Sequence, residues 1–245
     1  MWISTGTVKP GVPYRYTRIM TNIKNIMIFG LSPLLAVFAG LIIFHNMYIT
    51  FFLYHFIVCL GIPSGYYLIK NKKTTDLLKY PGLTKAGLIC GVITGIASGV
   101  TFILVILVCF DRFSTYLIDA KAIKALLSAW KFQEKQLPFL AAYFILFNSI
   151  IEELYWRGFL CYEVNKSLGV PASSALVSFF FIQYHTLTIF ILFGAEATLI
   201  FVPVLFLVSM FWCYTRYYFK NPYTAIISHM AADFSLMAVY LKYVL

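Results

Sequence analysis

Apolar runs long enough to cross a bilayer follow one another along this chain, and no other feature limits its fold so strongly. A helix rises about 1.5 Å per residue, so about 20 apolar residues cross the hydrocarbon core. On that measure the sequence divides into seven candidate spans, at 26–44, 48–69, 86–110, 138–164, 172–185, 197–217 and 222–245. The fifth is short, and 187–194 after it reads either as a re-entrant piece or as an extension, so six to eight spans are compatible with the pattern. The expected fold is all-α, a polytopic transmembrane helix bundle.

Composition closes the other routes. Of 245 residues, 61% are hydrophobic and only 11% charged, against about 25% charged in a soluble domain. A single water-facing globule has too little interior to hide that excess. The formal net charge of +10 fits basic loops against an anionic leaflet better than a nucleic-acid partner, because no basic stripe carries base-reading chemistry. The lipid bilayer is the expected partner and nucleic acid is not. The five cysteines, Cys59, Cys90, Cys109, Cys161 and Cys213, form no C-x-x-C pair and read as small hydrophobes.

Three regions follow: a basic N-terminal segment at 1–25, membrane helices with an interfacial loop at 26–136, and a polar-bearing helical core at 137–245. No small-residue cleavage site follows the first apolar run, which reads as a retained anchor. Residues 70–85 form a basic loop, and IDAKAIKALLSAW within 111–136 has the pattern of an amphipathic interfacial helix. With the N-terminus inside, twelve Lys and Arg fall on the cytoplasmic side and six opposite, Arg157 lying within the membrane. That count favours a multi-pass protein with its N-terminus cytoplasmic, in the plasma membrane if the cell is bacterial. Glycines at 87, 91, 95 and 99 make one small-residue helix face, which implies tight helix packing.

The acidic residues carry the chemistry. Only nine exist. Asp76, Asp111, Asp119 and Glu134 read as loop residues, and Glu196 as a loop or interface residue. Glu152 and Glu153 sit mid-span in FNSIIEELYWRGFL, and Asp233 mid-span in ISHMAADFS, at the depth of His185 and His229. Such groups cost several kcal/mol in hydrocarbon and mark a protein interior or a wet cavity. Glu153 and Arg157 are four apart and can pair on one face, while Glu152, offset by about 100°, points elsewhere. His229 with Asp233, and Phe181 with His185, have the same spacing of four. By helical rise, Glu152 and His185 lie about 20 Å from their span ends and His229 about 10 Å, so the groups can meet in one cavity opening to the cytosol. His45 and His55 read as interfacial.

Hydrolysis of a peptide bond by water needs a base, an oxyanion donor and an acid for the leaving amine. Glu152 and His185 can share the first and third tasks. His229 can serve the oxyanion, with Asp233 orienting it or helping to position substrate. No serine or cysteine has a partnered base, which disfavours a covalent route.

The motifs E-E-x-x-x-R at Glu152–Arg157, F-x-x-x-H at Phe181–His185 and H-x-x-x-D at His229–Asp233 occur in this order on successive spans. Together they resemble the three motifs of the CAAX-processing and bacteriocin-processing (CPBP) intramembrane endopeptidases, which include the Ras-converting enzymes and many bacterial Abi proteins. The resemblance covers about 137–240. It implies a glutamate-dependent peptidase in which Glu152 and His185 activate water, Glu153 and Arg157 hold the site together, and His229 and Asp233 form the oxyanion region. The best-known members carry Asn at the last position and many prokaryotic ones Asp; an ionised Asp233 would repel an oxyanion unless protonated or bonded to His229. It implies no cofactor or metal, and a peptide or protein substrate that is lipid-modified or membrane-embedded. Two other readings use the same residues: a membrane protease with Zn²⁺ between His185, His229 and a carboxylate, disfavoured by the lack of H-E-x-x-H, and a non-catalytic scaffold. A proton-coupled transporter is weaker, since no inverted repeat relates the halves.

Overall fold

A computed structural model describes residues 23–70 and 84–245. The basic residues expected at 1–22 and most of the basic loop, 71–83, lie outside the described residues. Among the described residues all regular structure is helical, with no strand. The rods, in chain order, are α1 (Ile23–Ile43), α2 (Met47–Ile69), α3 (Lys85–Leu117), α4 (Ala120–Ala129), α5 (Glu134–Leu168), α6 (Val170–Phe219) and α7 (Tyr223–Tyr243). All but α4 are long and apolar enough to cross a membrane.

The 50-residue α6 is two crossings. Gly194 has φ 81° and ψ −174°, a conformation that costs a side-chain-bearing residue too much. There the rod turns back: Phe181, before the break, packs 6.2 Å from Trp212, after it. In one straight helix those residues would be about 46 Å apart. The bundle therefore makes seven crossings, and residues 187–194 extend the fifth rather than re-enter. The hydroxyls of Thr186 and Thr188 bond back to the carbonyls of Ile182 and His185 (2.7 and 3.1 Å), so the polar HTLT stretch stays helical. The preceding joint is a single residue, Gly169, at φ 74°.

Contacts between rod ends define two opposite faces. On one, Asn221 donates to the Gly87 carbonyl (2.9 Å) and Tyr66 to Glu163 (3.2 Å). On the other, Met47 donates to the Trp130 carbonyl (3.1 Å), Lys124 to that of Leu245 (2.9 Å), and Lys242 pairs with Asp111 (2.6 Å). The described chain begins at the first face and ends at the second. Asp111 lies in the last turns of α3 rather than in a loop, because that 33-residue rod runs to about 50 Å and outreaches the hydrocarbon. The amphipathic α4 forms where expected, capped by the Asp119 carboxylate accepting from the Ala122 N–H (2.9 Å).

The glycine face of α3 packs on α7. A β-carbon at Gly95 would lie 3.1 Å from Thr224 and Ile227, and one at Gly99 3.0 Å from Ala231. With no side chains between them the backbones come close enough for Thr224 to donate to the Gly91 carbonyl (2.7 Å). This seam sets the position of α7, and α7 carries His229 and Asp233. Gly95→Leu should force α7 outward, at about 1–3 kcal/mol for overpacking. Thermal melting in detergent would show a lowered midpoint, whereas Gly65→Leu, at a site with open space around it, should leave it unmoved.

Candidate active site

The centre is an ion pair with no access to solvent. Glu153 and Arg157 are both fully buried, and Arg157 Nη1 donates to Glu153 Oε1 at 2.9 Å. The i, i+4 spacing on α5 makes the pair. The guanidinium is further held by Ser209, whose Oγ accepts from Nη2 at 2.8 Å. Aromatic faces enclose it, with Phe181 and Trp212 centroids 4.5 and 4.8 Å from Cζ. Arg157 thus joins α5 to both arms of α6.

His229 completes this pair. Its Nδ1 lies 2.9 Å from the same Glu153 Oε1, and its ring stacks on Trp212 (4.7 Å, 18°). Because Glu153 already accepts from Arg157, it serves as an acceptor here too, so Nδ1 carries the proton. Nε2 then looks toward two further carboxylates, 3.7 Å from Asp233 Oδ2 and 4.0 Å from Glu152 Oε2. The orienting partner of His229 is therefore Glu153. Asp233, four residues on in the same helix, stands beyond direct bonding distance, since its carboxylate is drawn aside by α5: Asn148 Nδ2 and Ser149 Oγ donate to Oδ2 at 3.1 and 2.9 Å.

Glu152, nearly buried at 3%, points away from Glu153 as the 100° offset requires. Its Oε2 accepts from the Tyr184 hydroxyl at 2.7 Å. Tyr184 packs on Tyr54 of α2 (4.9 Å), which in turn accepts from Trp156 Nε1 (3.1 Å). His185, next along α6, packs against Tyr184 and Phe181 (4.2 and 4.6 Å). Its Nε2 is buried without a hydrogen-bond partner, and it reaches Glu152 through Tyr184 rather than by a direct bond.

The structure thus gathers Glu152, Glu153, Arg157, His229 and Asp233 into one cluster, with His185 beside it. Glu196 lies apart and exposed just beyond Gly194. Sequence reasoning missed Asn148, Ser149, Tyr184, Ser209 and Trp212, single polar or aromatic residues in apolar runs. It also misplaced His55, which is buried at 1% against Tyr143, with Nδ1 2.6 Å from the phenol oxygen. His55 sits in the middle of α2, and the ring is packed by Phe51 and Tyr54. The rods reach the cluster through three π-helical stretches, Phe52–Gly61, Tyr143–Asn148 and Leu154–Cys161, a geometry frequent at functional sites.

Residues 134–235 match the family model described as Rce1-like, type II CAAX prenyl endopeptidase. This segment is CAAX-protease-like. It contains all three motifs, agrees with the resemblance read from them, and supports a CAAX-type intramembrane protease in general. No curated protein and no solved structure matches the chain. Among the described residues, no three His, Cys, Asp or Glu side chains are arranged to hold a metal ion.

The segment that matches the family model rests on its buried ion pair. Arg157→Met leaves Glu153 buried with one donor fewer, and should cost about 3–5 kcal/mol. Arg157→Lys should recover little, because an ammonium cannot reach Glu153 and Ser209 in the planar fork of a guanidinium. Glu153→Gln added to Arg157→Met should regain part of the loss. Denaturant unfolding in detergent checks all three.

Proposed function

We propose that the chain is an intramembrane endopeptidase in which Glu152 and His185 activate water against the peptide bond of a CAAX-type or peptide-precursor substrate. The observation that carries this reading is the division of labour between adjacent glutamates. Glu153 is consumed by Arg157 and His229, while Glu152 is engaged at one oxygen by the neutral hydroxyl of Tyr184. A carboxylate whose hydrogen bond comes from a neutral hydroxyl rather than from a guanidinium, in a site largely withdrawn from solvent, is a competent base.

In this mechanism water sits between Glu152 and His185, and Glu152 takes its proton as the oxygen attacks the carbonyl carbon. The carbonyl π bond breaks to give an oxyanion facing His229 Nε2. With Nδ1–H fixed on Glu153, Nε2 donates in the imidazolium form. As the C–N bond breaks, the proton on Glu152 passes to the leaving amine. Trp212 and Phe181 keep bulk water from the Arg157 side. The N-terminus is assigned to the cytoplasm on the Lys and Arg bias, and the substrate is a peptide or protein, lipid-modified or membrane-embedded.

Glu152→Ala and His185→Ala should each abolish cleavage of an internally quenched, prenylated peptide while melting within a few degrees of the parent in detergent. Full cleavage by either folded variant would refute the assignment. The same assay in chelator should show unchanged rates. Loss of activity restored by Zn²⁺ would instead favour the metal reading.

A further inference from the structure

The Asp233 carboxylate has gathered donors on a single oxygen. Asn148 Nδ2 and Ser149 Oγ both bond to Oδ2, and His229 Nε2 stands 3.7 Å from it. A carboxylate placed so is an acceptor, and it cannot also donate to a developing oxyanion. The amide beside it can. An asparagine side chain has two N–H groups, and Asp233 takes one of them.

The orientation of that amide is fixed from two sides. The acceptor Asp233 requires that the NH₂ face α7, so the carbonyl oxygen faces away. Asn148 is nearly buried and closes the π-helical stretch that begins at Tyr143. His55 of α2 touches both ends of this stretch: its Nδ1 bonds with the Tyr143 hydroxyl, and its ring lies against the Asn148 side chain. The other ring nitrogen of His55 is buried and makes no hydrogen bond. Neither Asn148 nor His55 belongs to the three motifs, and His55 lies outside residues 134–235 altogether.

We infer that Asn148 is a further catalytic residue, offering its second amide N–H to the substrate carbonyl oxygen beside His229, and that His55 is the residue that positions it. This rests on the peptidase reading above. A neutral donor at this place complements the charged imidazolium: it adds a hydrogen bond to the oxyanion without a further buried charge, and Asp233 serves to aim the amide. The N-terminal half of the chain then contributes to the reaction through α2.

The test uses the full-length protein in detergent with the internally quenched, prenylated peptide. Asn148→Leu, close in shape and without a donor, should lower kcat about 10²–10³-fold, the usual cost of one oxyanion donor, with KM within about threefold. It should weaken a phosphonamidate peptide, which carries the tetrahedral oxygens, by a similar factor, and leave binding of an uncleavable reduced-amide peptide unchanged. His55→Ala should lower kcat about tenfold, and His55→Gln, which keeps an N–H, should recover most of it. If Asn148→Leu does not fold, Asn148→Ala is read in its place against the same expectations. A folded Asn148 variant with parental kcat, or one that loses both peptides equally, overturns the inference. Glu152→Ala run in parallel separates the two claims. An inactive Glu152→Ala beside a fully active Asn148→Leu removes only the role of Asn148, whereas an active Glu152→Ala removes the peptidase reading itself.

Discussion

A guanidinium sealed inside an apolar bundle is the constraint from which the rest of this structure follows. Arg157 has no water to fall back on, so everything around it serves to neutralise or enclose it. Glu153 supplies the opposite charge, Ser209 an acceptor, and Phe181 and Trp212 supply π faces. Those partners come from α5 and from both arms of α6. Satisfying one cation thereby fixes three crossings against one another, and the ring of His229 is stacked on the same tryptophan.

The glutamate that neutralises Arg157 also decides what its neighbours can do. By accepting at Nδ1 of His229, Glu153 sets which ring nitrogen faces the other carboxylates, much as an acid behind a catalytic histidine selects a tautomer. It leaves Glu152, one residue away, turned toward Tyr184 and without a hydrogen bond to Arg157. Two identical side chains in sequence thus occupy opposite chemical states of use because a helix turns by about 100° per residue. The small-residue seam between α3 and α7 is part of this arrangement, since it determines how near α7 brings His229 to α5.

Much of this was legible in the sequence, and the reasons are physical. Spans were visible because lipid demands uninterrupted apolar runs, and the Glu153–Arg157 pair because a spacing of four has one geometric meaning in a helix. The same rule told only part of the story at His229 and Asp233, which lie 3.7 Å apart. They do share a face, but a buried imidazole bonds to the best-placed acceptor, and that acceptor sits on another rod. The fifth crossing was ambiguous because HTLT looks like an interruption, while its threonines satisfy the helix internally. His55, Asn148 and Tyr184 left no pattern to read: a lone polar residue in an apolar run gains its meaning only from what packs against it. The glycine stripe announced a close partner without saying which, since it specifies a surface and not the rod that lies on it.

The three π-helical stretches place a limit on how such a chain can change. Each accommodates its residues in turns wider than those of the flanking α-helix. Removing one residue from one of them would let the rod relax to ordinary winding with the residues on either side in nearly their present phase, since a π bulge takes up one residue beyond regular α winding. In a rod of unbroken α winding such as α7, the same loss ahead of His229 would swing everything beyond it by about 100° and carry His229 and Asp233 round toward the acyl chains, although no functional side chain had been altered. A change of length is therefore absorbed best in α2 and α5, and drift in this fold should preserve spacing most strictly in α7.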